Sequence, residues 1–242
     1  MAGHSHWANI KRQKASNDKK RGKVWSKIAR KIIIAAKGGG DPKENLSLRY
    51  VIDEAKAANM PRETIQNAIK KGTGELGAEN YESVQYEGYG PGGVAIMIDG
   101  LTNNRARTAG ELRRIFEFNG GNLATTGAVG FQFTKRGVIT IKADAIAEEK
   151  LMEFALDAGA EDVTTEGEGY IVTTTPTAFH KIRDAITEAN IAIESSEISN
   201  VPNTSVAVDA DTAKRVLKLL DELEDNEDVQ SVAHNAGLPD AG

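Results

Sequence analysis

The sequence contains no cysteine. That excludes a disulfide framework, a cysteine-ligated zinc site, an iron–sulfur centre and a thiol nucleophile, and it suits a reducing compartment. Long apolar runs are missing too: the longest aliphatic stretch, Ile32-Ile33-Ile34-Ala35-Ala36, falls far short of the roughly 20 residues a membrane-spanning helix needs. Met1 to Lys14 holds no apolar segment resembling a signal peptide, so the expected location is cytoplasmic and no membrane is expected as a partner. Histidine is scarce, and His4, His6, His180 and His234 form no HExxH-like pair on one helix face. No Gly-x-Ser-x-Gly elbow or Gly-Lys-Ser/Thr nucleotide loop occurs either, so no metal, no cofactor and no enzymatic activity are expected.

Acidic residues are scarce in one region only. Before Gly40, Asp18 alone opposes Lys11, Arg12, Lys14, Lys19, Lys20, Arg21, Lys23, Lys27, Arg30, Lys31 and Lys37. Residues 1–75 carry 17 of the 30 basic and 7 of the 35 acidic residues, a balance of +10, which leaves −15 for the remainder and −5 for the whole chain of 242 residues. Such asymmetry marks a polyanion-binding portion joined to an acidic body. The clustered cations predict nucleic-acid binding, to DNA or to ribosomal RNA, because each phosphate neutralised releases condensed counterions with little regard to sequence. The acidic run Asp221-Glu222-Leu223-Glu224-Asp225-Asn226-Glu227-Asp228 is read as a solvated helix end, with docking of the basic arm onto it as the alternative.

The pattern along the chain predicts an α+β protein of three domains. Residues 1 to about 22 read as a polar arm. From Lys23, Trp25, Ile28, Ala29, Ile32, Ile33 and Ala36 recur at helical spacing, while Lys23, Lys27, Arg30, Lys31 and Lys37 gather on the opposite arc; Ile34 falls among the basic residues. Trp25 is therefore a core residue, whereas Trp7 in the arm is a secondary contact on which bases would stack. Gly38-Gly39-Gly40 ends the helix, and Asp41-Pro42-Lys43-Glu44 reads as the start of a second, with Asp41 as its cap. A third helix begins at Pro61. After Tyr81 the period changes: residues 84–87 and 94–98 flank the glycine-rich turn Gly88 to Gly93, which is read as a hairpin turn because no helix follows to make it a phosphate cradle.

A helix at 105–118 comes next, on whose outer face Arg107 and Arg114 offer a second phosphate contact. A strand through Val129, Phe131 and Phe133 is expected after it, then β-α-β-β-α-β over residues 138–196, the ferredoxin-like order. A last β-α-β, with strands at 205–208 and 229–233, is expected to complete the sheet begun at residue 81. The predicted domains are thus a basic helical nucleic-acid-binding unit at 1–77, a discontinuous α/β unit at 78–134 plus 202–242, and an inserted ferredoxin-like unit at 135–201.

The chain contains the strings Met1-Ala-Gly-His-Ser-His-Trp-Ala-Asn-Ile-Lys11, Lys19-Lys-Arg-Gly-Lys23, Trp25-Ser-Lys-Ile28, Gly39-Gly-Asp-Pro42, Asn59-Met-Pro61, Glu87-Gly-Tyr-Gly-Pro-Gly-Gly93, Leu101-Thr-Asn-Asn104 and Asn119-Gly-Gly-Asn-Leu123. In these strings it resembles the YebC/PmpR family. The likeness runs essentially from end to end; His6 departs from it, standing where the family usually has lysine. The resemblance implies a helical first domain and two α/β domains, the third inserted into the second. It also implies a cytoplasmic DNA-binding regulator of transcription. Family members have been assigned to translation as well, as ribosome-associated factors that assist elongation and as a mitochondrial translational activator, so the same lysines would then meet ribosomal RNA. A ligand-sensing role is a third reading, carried by analogy with other ferredoxin-like domains alone.

Overall fold

The computed structural model describes residues 21–77 and 79–238. Three helices open it: α1 (Arg21–Ala36), α2 (Leu46–Ala57) and α3 (Arg62–Thr73). Their apolar stripes converge on Ile28, Ile32, Ile33, Ala36, Leu48, Ala55, Met60, Ile65 and Ala68. Each fully buried Ile or Leu contributes roughly 1.5–3 kcal/mol. Trp25 packs at the edge of this core as read, and its Nε1 donates to the Ala58 carbonyl at 3.0 Å. Gly72 lets α3 close on α1, since a Cβ there would stand 2.5 Å from the Ile33 carbonyl oxygen.

The start of α2 differs from the sequence reading. Its cap is Asn45, whose Oδ1 accepts from Leu48 N–H at 3.0 Å, while Asp41 instead closes a turn onto Lys43 N–H at 2.8 Å. The reason lies in the amide: Asn45 Nδ2 also donates to the carbonyls of Ala35 (2.7 Å) and Gly39 (2.8 Å), so one side chain ties off the end of α1 and starts α2. The end of α2 follows a Schellman pattern, with Asn59 at φ 54° and Met60 N–H donating to the Ala55 carbonyl at 2.9 Å.

The second domain is built on an antiparallel sheet of order β3-β1-β2-β9, from β1 (Glu82–Tyr89), β2 (Ala95–Thr102), β3 (Asn122–Ala124) and β9 (Val229–His234). The β1–β2 hairpin turns through Pro91–Gly93, where Gly92 and Gly93 take φ of 74° and 75°, so the glycine-rich segment is the turn expected. Helices α4 (Arg105–Phe118) and α7 (Ala210–Asp225) cover one face, burying Ile96, Ile98, Leu112, Phe116, Val216, Leu219 and Leu223. A loop covers the other face, packing Val129 and Phe133 on Ala95 and Met97.

That loop replaces the expected strand at Val129 and Phe131; of the three residues only Phe133 lies in a strand, as the first residue of β4 (Phe133–Lys142). The buried Glu87 carboxylate accepts the N–H groups of Gly127 (2.7 Å), Val129 (2.6 Å) and Gly130 (2.8 Å), which removes those amides from any ladder and leaves Phe131 in solvent. The strand that does form, β3, has three residues, too few to show alternation. In the last β-α-β only β9 joins the sheet; β8 (Val206–Ala207) pairs in parallel with β10 (Ala236–Gly237) as a separate ribbon, contrary to expectation.

Between these segments lies the inserted domain: β4 (Phe133–Lys142), α5 (Glu148–Asp157), β5 (Asp162–Glu166), β6 (Gly169–Thr174), α6 (Phe179–Glu188) and β7 (Ile193–Pro202). Its strand order β5-β6-β4-β7 is the ferredoxin-like arrangement, over a core that includes Ile139, Ile141, Leu151, Val172, Phe179, Ile182 and Ile186. The chain enters and leaves side by side, since Phe133 pairs with Pro202 and Asn203 N–H donates to the Gln132 carbonyl at 2.8 Å. Among the described residues no helix is long and apolar enough to cross a membrane.

Candidate nucleic-acid interface

Of the basic residues singled out in the sequence, Lys11, Arg12, Lys14, Lys19 and Lys20 lie outside the described residues, as does Trp7; Arg21 opens α1. Lys23, Lys27 and Arg30, at i, i+4 and i+7, form one stripe on α1, and the stripe faces the C-terminal end of α7. Lys23 Nζ donates to the Asp225 carbonyl at 3.2 Å and lies 3.6 Å from its carboxylate. Lys27 Nζ donates to the Glu224 carbonyl at 2.7 Å. Arg30 donates to the Glu227 carbonyl and, at 3.0 Å, to the Glu227 carboxylate, with Asp228 Oδ1 at 3.7 Å and the Tyr81 ring centroid 5.6 Å away. The other two cations bind elsewhere: Lys31 to Glu54 at 2.7 Å and Lys37 to the Tyr81 carbonyl at 2.8 Å.

These contacts correct the reading of residues 221–228 as a solvated helix end. The last carbonyls of α7 have no partner within their own helix and carry the negative end of its dipole. Asp225, Glu227 and Asp228 add carboxylates at the same place, so cations from another domain complete the helix end.

The stripe is not electrostatically uniform. Burial lowers the Lys27 ammonium from 10.5 to about 8, against the opposing pull of Glu224 and Asp225. Burial acts in the same sense on Arg30, but its bonds to Tyr81 and Glu227 outweigh it and raise the guanidinium further. The Arg30 side chain is 12% exposed, and its Nε is buried with no hydrogen-bond partner.

Beneath the stripe, buried Asp228 organises a network that sequence reasoning missed. Its Oδ2 accepts from Thr102 (3.1 Å), Thr108 (2.7 Å) and Arg107 (2.7 Å). Burial alone would raise this carboxyl, but the bonds from Arg107, Thr108 and Thr102 hold it below its ordinary 3.8. The string Leu101-Thr-Asn-Asn104 is thereby explained: Thr102 reaches Asp228, and Asn104 caps α4 by accepting from Arg107 N–H at 3.0 Å. The available signal was that string directly preceding a helix, with one acidic residue at the mouth of an apolar strand.

The structure separates Arg107 from Arg114. Arg107 turns inward to Asp228 and to Asn103 at 3.2 Å, whereas Arg114 stays on the exposed face with its guanidinium 5.3 Å from the ring of Phe118, itself 72% exposed. Among the described residues no cluster of His, Asp or Glu is arranged to hold a metal ion.

Fold and surface together define a three-domain α+β protein whose basic helical module is seated on an acidic α/β body. The descriptions "TACO1/YebC protein N-terminal domain" and "TACO1/YebC second and third domain" match residues 5–75 and 81–236 respectively. The chain belongs to this TACO1/YebC family, also called YebC/PmpR. A protein of Treponema denticola named "Probable transcriptional regulatory protein" is 50% identical over 241 residues, covering 99% of this chain and 98% of its own. A protein of Carboxydothermus hydrogenoformans with the same name is 50% identical over 244 residues, covering 99% and 100%. The crystal structure of a conserved hypothetical protein from Aquifex aeolicus superposes with a TM-score of 0.84 at 43% identity, covering 91% of this chain and 92% of that one.

Proposed function

We propose that the protein is a cytoplasmic, non-enzymatic regulator of transcription that binds DNA by contacting phosphates through its basic N-terminal arm and α1. The observation that carries this reading is the charge distribution, +10 over residues 1–75 against −15 beyond, with eleven cations before Gly40. The names of the close relatives support the regulatory part. The acidic body supplies no comparable footprint, which leaves the helical module as the polyanion-binding end.

Sedimentation of cell lysate through a sucrose gradient, with nuclease controls, tests the proposal. Recovery with chromosomal DNA in a DNase-sensitive manner is the expected result. Co-migration with intact ribosomes, abolished by charge reversal at Lys19, Lys20, Arg21 and Lys23, would replace it with the translational reading, in which the same cations contact ribosomal RNA.

A further inference from the structure

The partners of Lys23, Lys27 and Arg30 are oxygen atoms of one negatively charged surface: the carbonyls of Glu224, Asp225 and Glu227 and the carboxylates around them. A nucleic-acid backbone offers the same chemistry to the same donors. We propose that this stripe of α1 is a phosphate-backbone site which the C-terminal end of α7 occupies in the free protein, so that a duplex gains it only by displacing α7. The inference rests on the nucleic-acid reading above and adds to it a masked surface and an exchange of partners.

Three features make the resident partner replaceable. First, its rim is only partly sheltered: the side chains of Lys23 and Asp225 are 42% and 39% exposed, so that ion pair is weak and screened by salt, and Glu227, the partner of the largely buried Arg30, is itself 64% exposed. Second, it is an incomplete partner. Lys27 donates to a carbonyl, with the Glu224 and Asp225 carboxylates acting on it through space, and Arg30 Nε has no acceptor at all, although a guanidinium carries five donors in a fork that suits phosphate. Third, the helical module has a route away from the body. It joins the sheet through a segment in which Gly74 and Gly77 take φ of 87° and 86°. Elsewhere it meets the inserted domain, where Glu197 of β7 lies in the field of Lys31 and Glu54 and where Tyr50 stacks on His180 of α6, ring centroids 3.7 Å apart and 3° from parallel, with Arg183 over the same Tyr50 ring at 4.5 Å. Stacked rings slide and swivel without leaving a buried hydrogen bond unmade, which suits a pivot.

The test uses the full chain. Because there is no native cysteine, Ser26→Cys on α1 and Lys218→Cys on α7, both exposed, give two clean positions for spin labels. Pulsed electron paramagnetic resonance then reads their separation with and without a DNA duplex about two helical turns long. In parallel, Asp225→Asn with Glu227→Gln removes two of the competing charges, and fluorescence anisotropy reads affinity for the same duplex.

The expected result is one short separation in the free protein, a longer one on saturation, and binding tightened by about 3–10-fold in the double variant, the coupling that one or two partly exposed ion pairs supply. Binding by the variant alone, with the parent silent, would support the inference even more directly. An unchanged separation at saturation with equal affinities would overturn it while leaving nucleic-acid binding to the arm. Absence of binding by both proteins would overturn the DNA-binding reading itself, and this inference with it.

Discussion

Lys27 Nζ donates at 2.7 Å to the carbonyl of Glu224, a residue nearly two hundred positions along the chain, and burial lowers that ammonium to about 8. The interaction therefore joins two domains at a cost in desolvation. A group whose folded pKa lies below its unfolded value of 10.5 holds more protons in the unfolded state between pH 8 and 10.5, so its own contribution to stability rises with pH across that window and is unfavourable below it. Lys27→Met is expected to equal or exceed the parent in stability at pH 7, because an apolar chain of similar volume avoids the buried charge. The advantage should shrink as pH is raised from 8 towards 10.5. Urea denaturation of both proteins across this range checks it; parallel curves would show that Lys27 is not desolvated.

Asp228 works in the opposite sense. Its carboxyl is held below 3.8, so the stability it brings is present above that value and is lost as pH falls through the depressed folded pKa. Asp228→Asn leaves Arg107 and two threonine hydroxyls facing an amide, one atom of which is itself a donor. Removing the buried carboxylate from its two hydroxyl donors and from an arginine that is 45% exposed predicts a loss of about 2–4 kcal/mol at pH 7. The gap should narrow under acid as the parent's own carboxylate is protonated. A loss under about 1 kcal/mol would mean that the network is not a unit.

Glu87 holds the loop that stands where a strand was expected. Three backbone N–H groups point at its two oxygens, and Glu87→Gln would turn one of those acceptors into a donor. Hydrogen exchange at Val129 and Gly130 should accelerate by about tenfold or more, the equivalent of losing one charge-assisted bond. Amides of the inserted domain, such as Val172, should exchange as before. Equal protection of Val129 in both proteins would show that apolar packing alone holds the loop.

What could be read from the sequence followed from whether a residue's partner was near in the chain. The stripe of Ile28, Ile32 and Ile33, the turn at Pro91–Gly93 and the ferredoxin-like order were legible because helical period, glycine and strand alternation are local signals. The basic arc of α1 was legible for the same reason, but not what it faces: Lys23, Lys27 and Arg30 look the same in sequence whether they meet water, phosphate or the end of α7. Asp228 and Glu87 were missed because a buried carboxylate is recognised by its donors. Asp228's donors lie on another strand and helix, and Glu87's are main-chain groups that no residue type marks.

Arg107 and Arg114, one turn-pair apart on α4, offer a comparison within a single helix. Arg107→Glu would set a carboxylate against buried Asp228 and should destabilise the protein by more than about 2 kcal/mol, which makes any loss of binding uninformative. Arg114→Glu lies on the exposed face beside Phe118 and should change stability by no more than about 0.5 kcal/mol. If Arg114 makes the second phosphate contact, the variant should weaken binding alike for all duplex sequences and reduce the slope of log affinity against log salt by about 1. Thermal denaturation and a salt titration of duplex binding separate the two effects. An unchanged slope in a folded Arg114→Glu protein would confine phosphate contact to the helical module and its arm.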